Sequence, residues 1–299
     1  MRITQTMLQD NMLRNLFRSQ AQMSKYMTQI NTGKKITRPS EDPVIAMKGM
    51  NYRTQVAEVE QYRRNASEIW SWMDNSDDIL DKSTKAIQRI EYLAVQAANG
   101  TYGKDELNSI AEEVEQLLEQ MVELANTNVN GKYIFNGTNT NEKPIQLVDV
   151  NGEQRYQVQY TDESLHPVLI EVSKGIQFQV NVSPENIFDQ QLFDNIHDFI
   201  ERLRDGDQEG INDSIGALNE SMLKIVNGRA ELGARMNRLE LIEDRLAQQE
   251  IIARDTMAKN EGVDFEEAVT NLISQEVIHR AALAAGAKII QPSLIDFLR

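Results

Sequence analysis

The chain has 299 residues, 26% of them charged and only 6% aromatic, with a formal net charge of −15. That length allows more than one hydrophobic core, and the acidic balance argues against a nucleic-acid partner, because phosphate binding needs a basic face. Cysteine is absent, which excludes disulfides, thiolate metal sites and thiol nucleophiles.

The first 32 residues carry Ile3, Met7, Leu13, Leu16, Phe17, Met23, Met27 and Ile30, mostly three or four apart. That spacing puts them on one face of a helix. The arm is basic: residues 1–43 hold seven Lys/Arg against three acids. A basic arm on an acidic body can steer the ends together or toward another subunit. The segment lacks the apolar run of a secretory signal peptide, and no stretch reaches the length of a membrane span. These rules predict a cytoplasmic chain and are blind to export without a cleaved signal.

Gly33, Pro39 and Pro43 mark a linker after this helix. Asp42 followed by Pro43 is a helix start, an acceptor at the N-cap and then a residue whose missing N–H costs nothing there. Residues 44–98 predict one long helix with a heptad seam through Tyr52, Val56, Val59, Ala66, Trp70, Met73, Leu80, Ile87 and Ala94. Arg63, Asp77 and Thr84 fall in the gaps of that seam. A second helix is expected over about 105–128, closed by a left-handed Asn130-Gly131 cap.

Three short segments, 154–160, 167–173 and 176–182, are rich in β-branched and aromatic residues and predict a small antiparallel β unit over about 132–182. Ser183-Pro184-Glu185 is expected to restart helix, which Asp205-Gly206-Asp207 breaks. Another long helix follows over 208–258. Eleven of its fourteen heptad slots are apolar, Arg229, Glu243 and Glu250 being the exceptions. After a linker at Asn260-Glu261-Gly262, a last helix carries Phe265, Val269, Leu272, Ile273, Val277, Leu283, Ile290 and Leu294.

The order is nearly palindromic. It predicts a mainly α fold with a small β insert (α+β): a long antiparallel coiled-coil-like rod with both termini at one end and the β subdomain at the other. Three regions follow: a terminal helical assembly region (1–43 with 259–299), a long-helix rod (44–131 with 183–258) and a β subdomain (132–182).

Catalytic machinery is not legible. His166, His197 and His279 lie far apart and lack the pairing of a zinc helix. The cluster Asp77-Asp78-Asp81 lacks calcium-loop spacing and reads as a solvated face. The twelve methionines read as core filler. No cofactor, metal or enzymatic activity is expected.

Four strings carry a resemblance. Asn31-Thr32-Gly33-Lys34-Lys35-Ile36-Thr37-Arg38-Pro39-Ser40-Glu41-Asp42-Pro43 resembles the linker after the first helix of the flagellin superfamily. Its Arg38-Pro39-Ser40-Glu41-Asp42-Pro43 form is similar to the hook–filament junction branch rather than to flagellin, which typically reads Arg-Ile-Asn-Ser-Ala there. Gly131-Lys132-Tyr133-Ile134-Phe135-Asn136-Gly137 is similar to that superfamily's string at the entry to its β region. Gly233-Ala234-Arg235-Met236-Asn237-Arg238 is similar to its Gly-Ala-x-x-Asn-Arg pattern. The segment from Lys288 through Pro292 to Leu298 resembles the C-terminus of the junction proteins.

The resemblance implies a structural role. Junction proteins of this type self-assemble into a ring between the hook side and the filament, next to a larger hook-associated protein and beneath flagellin. They leave the cell through the flagellar type III export channel, so the expected location is the extracellular flagellum. An FlgN-type chaperone commonly holds the C-terminal helix of this group. Here that would be about 262–299, with Leu283, Ile289, Ile290 and Leu294 as its contacts. Neither membrane insertion nor a nucleic-acid partner is implied.

The expected assembly residues are Ile3, Met7, Leu13, Leu16, Met23, Ile30, Val269, Leu272, Ile273, Leu283, Ile290 and Leu294. The expected motif residues are Arg38, Pro39, Ser40, Asp42, Pro43, Asn237 and Arg238. Burying one Leu- or Ile-sized side chain contributes roughly 1.5–3 kcal/mol, and ordering one residue's backbone costs roughly 1–2 kcal/mol. An isolated 30-residue arm is therefore marginal, and the two arms are expected to pair only inside an assembly. Two alternatives stand beside this reading. One is flagellin itself. The other is a soluble coiled-coil signalling module, which predicts a dimer and gives no reason for the β insert or the paired termini.

Overall fold

The computed structural model describes residues 5–100, 102–150 and 153–290. In chain order they form α1 (Gln5–Thr32), α2 (Pro43–Ala98), α3 (Lys104–Ala125), β1 (Asn128–Val129), β2 (Lys132–Tyr133), β3 (Ile145–Val150), β4 (Glu153–Val158), α4 (Asp162–Leu165), β5 (Leu169–Ser173), β6 (Ile176–Gln179), a 3₁₀ turn (Pro184–Asn186), α5 (Gln190–Asp205), α6 (Gln208–Glu261) and α7 (Phe265–Ile290). The fold is mainly α with a small β insert. The chain divides into two units, residues 1–58 with 248–299 and residues 59–247.

The second unit is built on heptads. In α2, Ala66, Met73, Leu80, Ile87 and Ala94 follow at steps of seven, and all are fully buried. In α6, Ile211, Leu218, Ile225, Leu232, Leu239 and Leu246 do the same. They share one core with Val114 and Leu118 of α3 and Phe193 and Phe199 of α5. The polar heptad positions have partners. Arg229 of α6 donates from Nε to Asp77 Oδ1 at 2.9 Å and from Nη1 to Asp81 Oδ1 at 2.6 Å. Trp70 Nε1 donates to Glu243 at 2.8 Å. The acidic cluster is thus only partly a solvated face. Asp78 pairs with Lys82 on the surface, whereas Asp77 and Asp81 hold α6. Lys85 and Arg229 together keep the Asp81 carboxyl below the usual carboxylate range.

The β region departs from the sequence expectation in three places. Helix α3 stops at Ala125, and Asn130-Gly131 does not cap it. Both residues have positive φ, 54° and 82°, and they form the turn between β1 and β2, the geometry that an Asn-Gly hairpin favours. Strand β3, six residues just after Pro144, was too short a window for periodicity to reveal. It pairs antiparallel with β4 from Ile145↔Val158 to Val150↔Glu153. Among the described residues the strands form three separate two-stranded antiparallel sheets. Finally, Pro184 starts only a 3₁₀ turn. Helix α5 begins at Gln190, where Asp189 accepts the Leu192 N–H at 2.8 Å, and ends at left-handed Gly206.

The Gly131–Gly137 string has a physical account. Ile134 and Phe135 are buried, and Phe135 meets Phe188 edge to face at 5.1 Å. Gly137 has φ +52°, and a Cβ there would lie 2.1 Å from the Ser164 carbonyl oxygen.

Candidate assembly surface

The first unit holds both linkers and both terminal helices. Asp42 caps α2, accepting from the Val44 and Ile45 N–H groups at 2.9 and 3.1 Å. Pro43 is the first helical residue. Glu41 folds the linker on itself by accepting the Thr37 N–H at 3.0 Å. Arg38, Pro39 and Ser40 are exposed.

The two linkers are joined. Lys35 N–H donates to the Glu261 carbonyl at 2.7 Å and Val263 N–H to the Gly33 carbonyl at 3.1 Å, around an antiparallel Lys34↔Gly262 bridge. The Glu261 side chain anchors this clasp. Its oxygens lie 2.7 Å from Nε and from Nη2 of Arg53, and 3.7 Å from Lys34 Nζ. Asn260 Nδ2 donates to the Ile45 carbonyl at 3.2 Å. Gly49 is buried beneath, and a Cβ there would stand 2.8 Å from Glu261 Oε1. The Arg53 hydrogen bond, with smaller help from Lys34, holds the Glu261 carboxyl below its ordinary range. None of Lys34, Asn260 or Glu261 was identified from sequence as a site residue. Their contacts join distant segments, and no local pattern announces them.

Helices α1 and α7 pack along each other within the single chain. This differs from the expectation that pairing awaits assembly, and the contact chemistry explains how. The inner face of α7 is mostly small or polar: Ala268 and Gly286 are buried, Gln275, His279 and Ala282 are half-buried, and Leu272 is the large apolar member, also half-buried. Opposite lie Met12, Leu16, Ser19, Met23, Tyr26 and Ile30 of α1, of which Ser19 is buried and the rest half-buried. Gln275 Nε2 donates to Ser19 Oγ at 3.0 Å. Gly286 admits Met12, whose Cε is 1.6 Å from where a Cβ would be.

The predicted assembly residues therefore separate into two sets. Leu16, Met23, Ile30, Val269 and Leu272 are half-buried. Met7, Leu13, Ile273 and Leu283 point outward, each about half exposed, together with Phe17, Met27, Phe265 and Val277. Ile3 and Leu294 lie outside the described residues, and the side chains of Ile289 and Ile290 are not described. Val44, Met47, Met50, Ile251 and Ile252 add further exposed apolar surface to this unit. They sit off the heptad seam, which was the signal available for them. So much outward apolar area is unusual for a protein that acts alone.

Asn237 and Arg238 belong to the second unit. The Arg238 guanidinium lies over the Phe178 ring at 5.5 Å, and nearby Arg235 donates to the Asn181 carbonyl at 2.5 Å. That string ties α6 to the segment around β6. Among the described residues no group of three or more His, Cys, Asp or Glu could hold a metal, and no helix is long and apolar enough to cross a membrane.

Comparison with known proteins identifies the family. The bacterial flagellin N-terminal helical region matches residues 3–140, and the C-terminal helical region matches residues 215–298. Flagellar hook-associated protein 3 of Escherichia coli K12 is 28% identical over 301 residues, covering 94% of each chain. The flagellar filament 33 kDa core protein of Treponema phagedenis is 24% identical, covering 96% of each. The solved flagellar junction protein FlgL from Legionella pneumophila, 15% identical, shares the fold with a TM-score of 0.59 over 72% of this chain and all of that one. The matched helical regions are the ones that hold the linker clasp, the paired terminal helices and the heptad seam, and the chain belongs to the flagellin superfamily, in its FlgL-type, hook-associated group.

Proposed function

We propose that this chain is a structural adaptor of the bacterial flagellum, joining the hook side to the flagellin filament. The observation that carries it is the whole-length likeness to a hook-associated protein 3, at higher identity than to the filament protein above. The outward apolar faces of α1 and α7 supply the means. A neighbouring subunit that covers Leu13, Phe17, Ile273 and Leu283 gains roughly 1.5–3 kcal/mol per fully buried side chain.

In this reading the chain forms a ring, contacts a larger hook-associated protein on one side and flagellin on the other, and has no catalytic role. Residues 1–43 with 259–299 act as the assembly region, 44–131 with 183–258 as the supporting helices and 132–182 as the β subdomain. The chain leaves the cell by the flagellar export route. An FlgN-type chaperone covers about 262–299 beforehand, through Leu283, Ile289, Ile290 and Leu294.

Deleting the gene tests the reading. Cells are expected to keep hooks, lack filaments and lose flagellin to the medium. Disappearance of flagellin from cells and medium alike would make this chain the filament subunit. Normal filaments would point to the signalling module.

A further inference from the structure

Strand β4 is held to α5 by three hydrogen bonds to its backbone, and the Arg155 side chain adds a bond to Glu201. Gln190 makes two, accepting the Val158 N–H at 2.8 Å and donating to the Tyr156 carbonyl at 3.1 Å. His197 makes the third, its Nε2 accepting the Tyr156 N–H at 3.3 Å, with the His197 and Tyr156 rings 5.9 Å apart and tilted. The glutamine bonds do not titrate. The histidine bond exists only while Nε2 carries no proton.

The ring lies beside a groove of about 350 Å³ between α3, β3–β4 and α5. The charged and titratable groups around it come from each of those elements. From α3 come Glu115 and Glu119. From β4 come Arg155 and the Tyr156 hydroxyl. From α5 come Asp194, Asp198, Glu201 and Arg204. Arg155 pairs with Glu201 and Asp198, and Arg204 pairs with Glu115 at 2.7 Å. The acids near His197 are thus largely engaged, and Arg155 presents positive charge to the ring.

We propose that His197 is an acid-released pin, whose protonation turns the Tyr156 acceptor into a second donor, sets an imidazolium beside Arg155, and undocks the β3–β4 hairpin from α5. The six-residue β3–β4 pairing contains no titrating bond, and Asn126 holds Ile145 at the start of β3 through two further hydrogen bonds, 3.0 and 3.1 Å. The hairpin therefore leaves as a unit, turning about Ile145.

Burial first, and Arg155 second, hold His197 below the ordinary imidazole range, against the smaller opposing pull of Asp194, Glu201 and Asp198. The sign follows. Above the ordinary imidazole pKa of about 6.5, docked and undocked states are both neutral, and pH has no effect through this group. As pH falls below it, the undocked state takes up the proton first. Docking weakens until pH reaches the docked-state pKa.

Amide exchange on the full chain tests this, with rates corrected for intrinsic pH dependence. Between about pH 7.5 and about pH 5, protection of the Tyr156 and Val158 amides is expected to fall about tenfold or more. In His197→Gln, whose side-chain oxygen accepts the same bond without titrating, that fall is expected to vanish. Unchanged protection in the native chain, or an equal fall in H197Q, would overturn the proposal. The His197 ring titration in the native samples gives an independent reading. Its midpoint must lie below the ordinary imidazole value of about 6.5, at the pH where the loss of protection levels off, and a midpoint at or above that value overturns the pin whether or not H197Q docks.

Discussion

Arg229 and Asp77 face each other across the helical seam, with Nε to Oδ1 at 2.9 Å and Nη2 to Oδ2 at 3.2 Å. Each occupies a position where the heptad pattern of its own helix lacks an apolar residue. Two breaks in two separate patterns thus become one bidentate contact, the geometry for which a guanidinium is suited. A slip of either helix would strand both charges, so the pair fixes register.

Arg229→Ala is expected to lower the stability of the second unit by about 1–2 kcal/mol, between the values for exposed and buried pairs, because the side chains remain about one-third exposed. Urea unfolding followed by tryptophan fluorescence measures it. Replacing Arg229 and Asp77 together by leucine is expected to recover most of the loss. No recovery would mean that the pair contributes more than register.

Leu239 and Leu283 should behave in opposite ways. Leu239 is fully buried in the seam, and Leu239→Ala is expected to cost about 2–5 kcal/mol. Leu283 is 48% exposed, so Leu283→Asp is expected to leave unfolding of the second unit unchanged while abolishing assembly and chaperone binding. Sedimentation and chaperone pull-down read the second effect. Equal destabilisation by the two substitutions would place Leu283 in a core instead.

Gly137→Ala is expected to destabilise the β region by about 1–3 kcal/mol, because the left-handed φ and the approach of the Ser164 carbonyl both oppose a Cβ. Thermal unfolding with near-ultraviolet circular dichroism would show it. A neutral result would mean that the Gly137–Ser164 approach opens without cost.

The linker clasp should weaken in acid. Glu261 has a depressed pKa in the folded chain, so its contribution is present above the ordinary carboxylate pKa of about 4.3 and is lost as pH falls through the folded value. Exchange of the Lys35 and Val263 amides is expected to accelerate below about pH 4, and Glu261→Gln is expected to show the same acceleration at neutral pH. Protected amides in that variant would assign the clasp to its backbone bridge alone.

Much of this molecule is legible in its sequence because long helices repeat their signal. The seam of α2 and α6 is written once per seven residues, and the Asp42-Pro43 start is a local rule with a local outcome. The clasp is not legible, since Glu261 meets Arg53 and Lys34 only after the chain has folded back. The division of the terminal stripes was also hidden. Periodicity marks an apolar face but does not say whether a same-chain partner or another subunit covers it, and α7 turns its small and polar residues toward α1. Strand β3 and the Asn130-Gly131 hairpin were lost to segments too short to show a period. His197, alone on its helix and without a metal-binding neighbour, gave no hint that a backbone N–H of β4 would come to it.

The Lys34–Gly262 bridge draws on opposite ends of the polypeptide. During synthesis α1 must wait, its inner face uncovered, until α7 exists. Closure is then a search over almost the whole chain, a slow kind of step because such distant contacts must be brought together first. A chain cut before Gly262 can still fold its earlier helices, but it cannot close this bridge. Closing it sets both linkers in one step, so a lesion in either linker is felt by both terminal helices.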